Sequence, residues 1–418
     1  MNRTKVVSQG VWVVPETTEL DALTICEGAS IAAPEGKNLT MTVDGIGTWI
    51  RSGVFEGKVV LTVCDSYVQS MERHGNVQYY DFRTGVLVED GKYRPEYSVP
   101  AIVQGGTVSD TEASGMTITG REDDFNGFYI TGDTEYTIRD VKIDLEGDGS
   151  NDFIGFGAGI AATGNAKLTI NNADIRTNGV TRGCVFVGGH SVVTVNDSRL
   201  FCTSRMVPHD EYQTRIKQGR MMAPPWVMGF RGSCRTTNLA DYGTVYYNNC
   251  WIGADNWGTM CIDGADIVRM YLKDCTLEIT GPSGYGTLVI GDSQDVFDHC
   301  RIKNVTFAAI MSNDTNGAEY KNGCVVDGVY GAQIFRNYHG QLKINSGSVF
   351  NTKRSTIVCK GSTSYITVDA AVLNPGNGIV LQVMDNDETG MGGGDFIIPT
   401  ERDTRVEGRD VTNVGDED

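Results

Sequence analysis

The chain has 418 residues, with 53 acidic against 35 basic side chains and a formal net charge of −18. So acidic a surface repels nucleic acid and anionic membranes, and the length suffices for a large buried core. No apolar run is long enough to cross a bilayer, and the start MNRTKVVSQGVWVVPETTE has no apolar signal region. The expectation is therefore a cytoplasmic chain with no membrane or nucleic-acid partner, unless a signal has been removed.

Residues 1–104 read as β-rich. KVVSQGVWVV, LTMTVDGIGTWI and KVVLTVCDSYVQS alternate apolar and polar positions, the pattern of half-buried strands. They suit early irregular coils or a cap over the end of a larger core. The stretch MERHGNVQYYDFRTGVLVEDGKYRPEYSVPAI reads as a polar, aromatic insertion within that region.

From residue 105 to about 385 the sequence keeps a clock. A small residue, an apolar run and a polar or glycine turn recur as GFYITGD from Gly127, GIAATGN from Gly159, GCVFVGG from Gly183, GTMCIDG from Gly258 and GTLVIGD from Gly286. The series goes on with AAIMSND from Ala308, GAQIFRN from Gly331, STIVCKG from Ser355 and GIVLQVM from Gly378. Most steps lie near 24 residues. Cys250, Cys275, Cys300 and Cys324 keep the same interval, at steps of 25, 25 and 24. Between markers sits a second short strand with its own turn, as in LTINNADI and VTVNDSRL. Short strands with polar turns at an even period of about 24 describe coils that stack about 4.8 Å apart and bury a shared core.

The cysteines then form one inward column of small side chains, expected as free thiols because no CxxC or zinc spacing occurs. The residues before them, Asn249, Asp274, His299 and Gly323, form a turn column that Asn172 and Asp197 extend. A hydrogen-bond ladder is the expected role for it. The rung period, the turn glycines and asparagines and the stacked small residues resemble the right-handed parallel β-helix proteins of the pectate-lyase-like superfamily, over about residues 105–385. The resemblance implies an all-β fold: a right-handed parallel β-helix solenoid of about ten coils with an N-terminal β cap region and one long loop insertion. It carries over no catalytic residue, since the Gly-His-Gly and paired-Asp motifs of polygalacturonases are absent.

The clock breaks between Gly183 and Gly258, a step of 75 residues, which places an insertion at about 202–242. Residues 198–235 hold seven basic and two acidic side chains, a local +5 in an acidic chain. Guanidinium groups grip carboxylate or phosphate in bidentate fashion, and Met and Trp make adaptable apolar walls. A pocket for a small anionic substrate is one reading; a loop whose arginines pair with the acidic body is the other. Candidate binding residues are Arg215, Met222 and Trp226, with Trp257 and Tyr285 flanking the same face. Arg231 and Arg235 are candidates to neutralise a substrate carboxylate and stabilise the charge that develops when a neighbouring proton leaves. His209, or one of Asp263 and Asp292, would move that proton; the two aspartates occupy nearly the same turn on adjacent coils. No spacing indicates a metal site, DLEGDGSND matches no calcium loop closely, and no cofactor is implied.

The tail from Asn386 to Asp418 is acidic and glycine-rich, and reads as an extended segment that packs on the last coils. These features together point to a β-helix lyase, isomerase or hydrolase acting on a small acidic sugar or other cyclic carboxylate. The alternatives are a structural, adhesin-like solenoid or a carbohydrate-binding protein without chemistry.

Overall fold

The structure is a computed structural model. It describes residues 3–384 except 74–75, 152, 206–231, 266, 313–314, 336–338 and 361–363, and adds the strands Thr404–Arg409 and Thr412–Asn413. The protein is all-β and solenoid-like, with long sheets of parallel strands. Among the described residues there is no α-helix, hence no helix long and apolar enough to cross a membrane. Among the described residues, one sheet has 28 strands, a second 12 and a third two.

The body follows from alternation. Each five-residue strand such as Lys167–Asn171 sends its second and fourth side chains inward and the others outward, because successive residues point to opposite faces. Its equivalent one repeat later, Val192–Asn196, pairs with it in parallel and in register. Inward residues therefore stack in columns. In the 12-stranded sheet the column runs Ile138, Ile170, Val195, Tyr247, Leu272, Phe297, Tyr320, Ile344 and Val368, all buried. In the large sheet it runs Ile143, Ile175, Leu200, Ile252, Leu277, Ile302, Val326, Phe350 and Leu373. At about 25 cal/mol per Å² of apolar surface, such columns dominate the stability of the body.

The two strand columns meet at a tight corner, and its backbone explains the polar clock. Asp140, Asn172, Asp197, Asn249, Asp274, His299, Asn322, Ser346 and Ala370 all adopt left-handed φ between 49° and 55°. Asn and Asp tolerate that conformation best among residues with a side chain. Their side chains form the expected ladder: Asn172 donates to Asp140 at 2.7 Å, Asn249 donates to Asp197 at 2.8 Å, and the His299 ring nitrogen lies 2.7 Å from Asp274. Gly323 follows Asn322 in a two-residue version of the corner, at φ 81°. Immediately after the corner comes the small inward column Ala173, Ser198, Cys250, Cys275, Cys300 and Cys324, all buried, with the four cysteines as free thiols. The Cys250 amide donates to the Cys275 sulfur at 3.4 Å and the Cys300 amide to that of Cys324 at 3.3 Å. Contact with Cys275, and then burial, holds the Cys250 thiol well above its ordinary range.

Two sequence expectations change. The strand Arg235–Asp241 pairs with Val185–Val187 on one side and Trp257–Ala265 on the other, so RTTNLAD is a full rung within the span assigned to the insertion. It lacks the small-residue marker, which hid it. The stretch read as an N-terminal insertion holds the strand Asn76–Glu89, which pairs in parallel with Phe125–Thr131 and starts the body. In the tail, Thr404–Arg409 and Thr412–Asn413 add a further parallel strand to Ser364–Asp369 and Val372–Pro375, and so continue the ladder.

The cap is built differently. Thr18–Ile25 and Lys37–Val43 both pair antiparallel with Gly53–Asp65, around a separate small core that includes Leu23, Met41 and Leu61. Cap and body meet where Ile46–Thr48 pairs in parallel with Thr117–Arg121, and Arg83 and Arg182 tie together the first rungs of the body beside that pairing. Arg83 pairs with the buried Glu122 at 2.6 Å and donates to the Asp123 carbonyl at 2.6 Å. Arg182, fully buried, donates to the carbonyls of Gly157, Glu122, Gly147 and Phe125. Burial pushes Glu122 up to about 7 and Asp124 up to about 6, and pulls Arg182 down to about 10. These shifts arise from the packing of the first rungs, where Arg83 and Arg182 lie beside the two carboxylates.

Candidate functional site

The exposed counterpart of the inward columns is the outer face of the strands that follow the corner. Its second outward position runs in register through Arg176, Phe201, Gly253, Glu278, Lys303, Asp327, Asn351 and Asn374. Gly253 has a steric reason. A Cβ there would lie 2.2 Å from the ring of Trp251, so the indole lies flat across the glycine. Its Nε1–H donates to Glu278 at 3.1 Å, the Arg199 guanidinium sits 3.6 Å from the ring centroid, and Phe201 is tilted against it at 5.7 Å. Together they make an aromatic platform with charged sides.

Further along, side chains replace rings with amides. Asn374 donates to Asn351 at 2.8 Å, and Asn351 donates to Asp327 at 2.9 Å. A groove of about 580 Å³ opens beside this row, lined by Thr280, Pro282, Asn304, Thr306, Asp327 and Lys353 among others. On the other side of Trp251 a shallower groove of about 530 Å³ is lined by Asp174, Asp197, Arg199 and Asn249. Lys303 and Lys353 form no ion pair among the described residues. The face therefore presents an aromatic plane, a hydrogen-bonding ladder and uncommitted ammonium groups in one line.

Of the residues singled out from sequence, His209, Arg215, Met222, Trp226 and Arg231 lie outside the described residues. Arg235, Trp257 and Tyr285 are brought together, but inside the body. All three are at most 1 % exposed, with the Arg235 guanidinium 5.5 Å from the Trp257 ring centroid and the Tyr285 ring 6.5 Å beyond it. They sit on inward positions, so the expectation that Trp257 and Tyr285 flank an open face is corrected. Trp257 also holds a left-handed φ of 59°, a costly state for a bulky residue that complete burial enforces. Asp263 and Asp292 do not share a turn column. Asp263 lies within the large-sheet strand Trp257–Ala265, whereas Asp292 opens the strand Asp292–Asp298 of the other sheet, opposite Ile267.

The insertion leaves after Arg205 and returns by Gly232, and a polar knot ties its roots. The Ser204 and Ser233 hydroxyls are 3.0 Å apart. The Asp255 carboxylate accepts from the Ser204 amide at 3.1 Å, from the Cys234 thiol at 2.9 Å and from Asn256 at 2.8 Å. Burial raises Asp255 above the usual carboxylate range, and these donors oppose the rise. Thr280, at the edge of the larger groove, donates its amide to Ala254, the residue before Asp255, at 2.9 Å. Among the described residues no group of three or more His, Cys, Asp and Glu is placed to hold a metal ion.

Sequence reasoning passed over Trp251, Asn351 and Asn374. For the two asparagines the signal is the second outward position after each corner, readable in RLF, WIG, TLE, RIK, VVD, VFN and VLN once the register is known, and for Trp251 it is the glycine at that position, which leaves room for the preceding outward ring. No family model, curated protein or solved structure matches this chain.

Proposed function

We propose that the chain is a right-handed parallel β-helix that binds an extended carbohydrate along the face of Trp251, Asp327, Asn351 and Asn374. One observation carries this reading: a flat, partly exposed indole continues in register into a ladder of amide and carboxylate groups beside an open groove. A sugar ring offers an apolar face to an aromatic plane and hydroxyls to amides, and sites of that kind combine a few placed polar groups with apolar walls. From Phe201 to Asn374 the row spans six coil steps, roughly 29 Å at about 4.8 Å each, which suits a chain of sugars better than a single ring. Affinity electrophoresis against a panel of neutral and acidic polysaccharides tests the reading. Retardation by at least one polymer is expected, with a loss of about tenfold or more in Trp251→Ala, in the range of an aromatic anchor. Failure to bind any member of the panel, or full binding by Trp251→Ala, refutes it.

A second reading, turnover of a small acidic sugar by lyase, isomerase or hydrolase chemistry, is favoured by the position of the insertion roots next to the same groove. His209, Arg215 and Arg231 would then supply the proton transfer and the carboxylate grip. Product formation from acidic glycosides that His209→Ala and Arg231→Ala abolish, with Arg231→Lys restoring it only in part, would establish it.

A further inference from the structure

A second cleft, sharing no residue with that face, lies where the cap meets the body. It encloses about 690 Å³. Its floor is the strand Gly53–Asp65, whose Val60, Thr62 and Cys64 alternate onto one side. Thr62 is buried, 5 % exposed, and its hydroxyl has no hydrogen-bond partner among the described residues. The facing wall comes from the two short 3-10 turns Pro95–Tyr97 and Pro100–Ile102, which offer Pro95, Pro100 and Ala101. Buried hydroxyls without partners are costly, and sites of this size between structural units are where small molecules bind.

The rim decides the charge of the occupant. Glu19, Asp44 and Glu96 line it against one cation, Lys58. Lys58 is committed to Glu19 at 3.3 Å, and Glu96 has only a long contact of 3.8 Å with Arg94. Asp44 accepts the Lys58 backbone amide at 2.8 Å and has no ion pair among the described residues. We infer that this cleft binds a small organic cation: a primary amine with an apolar body, its ammonium between Asp44 and Glu96, its body over Val60, Pro95, Pro100 and Ala101. The site is independent of the carbohydrate face, and binding here involves no chemical step.

Ligand-observed NMR with phenethylamine, phenethyl alcohol and phenylacetate, three probes of one shape and three charges, tests the assignment on the full chain. Phenethylamine should bind at least about fivefold more tightly than the alcohol, and phenylacetate should not bind, as expected for one or two nearby carboxylates in a solvated rim. Asp44→Asn combined with Glu96→Gln should reduce the amine to the level of the alcohol. Both side chains are exposed, and Asn keeps the left-handed backbone of Asp44, so the variant stays folded. Ala101→Trp, which fills the cleft, should abolish all binding; if it does not fold, the charge variant decides alone. Equal binding of the three probes, no binding of the amine at millimolar concentration, or an amine preference that survives Asp44→Asn/Glu96→Gln overturns the inference.

Discussion

In the cap, Leu23, Met41 and Leu61 meet because antiparallel neighbours fold them onto one another within about forty residues of chain. In the body, Ile252 meets Leu200 before it and Leu277 after it, each on an adjacent coil, and the same relation repeats along the column. The cap thus has one small core that stands or falls as a unit. The body has a continuous core whose stability accumulates coil by coil through nearest neighbours. The comparison teaches where damage spreads: it stays local in the cap and travels along the ladder in the body.

The largest effect should come from the first rungs of the body, beside the cap. Arg182→Ala removes the guanidinium that serves four carbonyls and sits among Glu122, Asp123 and Asp124. A loss of about 3–5 kcal/mol is expected, the usual cost of stranding buried charge, measured as a fall in the unfolding midpoint. An unchanged midpoint would show that these rungs do not depend on it.

Next come two matched core deletions. Ile252→Ala and Leu23→Ala should each cost about 2–5 kcal/mol where they act. Hydrogen exchange should then separate them. Ile252→Ala should expose amides on both adjacent coils, whereas Leu23→Ala should expose the cap strands and leave residues 160–370 protected. Equal spread from both sites would remove the distinction.

A third test uses pH. Asp295 is buried inside the body, its carboxylate contacts Thr287, and burial pushes it up to about 8 from an ordinary 3.8. Because the folded state holds this proton more tightly, its contribution is full below pH 3.8 and is lost as pH rises through about 8. Asp295→Asn keeps an acceptor for Thr287 and cannot ionise, so its stability relative to the parent should rise from pH 5 to about pH 8 and level off above it. A flat difference from pH 5 upward would show that the folded carboxyl is already ionised there. The smallest effect belongs to the corner: Ala370 holds a φ of 49° without a side chain suited to it, and Ala370→Asn should stabilise by about 0.5–1 kcal/mol in a thermal scan.

The repeat was legible because it is enforced at several positions of each coil at once. The cysteine column, the Asn and Asp corner and the alternating strands all repeat with the coil, and the structure keeps each of them. RTTNLAD escaped because a rung needs only buried side chains, and Thr236, Thr237 and Asn238 are buried without being apolar. The site was less legible for a related reason. Whether Trp257 or Trp251 faces outward depends on register, and near a left-handed corner or turn a one-residue shift reverses every side chain. Charge density drew attention to the 198–235 stretch, whereas the row from Trp251 to Asn374 shows no unusual composition at all.

The strands on either side of the insertion, Arg199–Thr203 and Arg235–Asp241, pair with their neighbours as if nothing intervened, and Ser204 and Ser233 stand side by side. For protein engineering these two ends form a ready-made junction: the register of the strands they close is set by neighbouring strands on both sides. A gene deletion that joins Arg205 to Gly232 through a few glycines should therefore yield a folded product, and new specificities can be trialled at that junction one loop at a time.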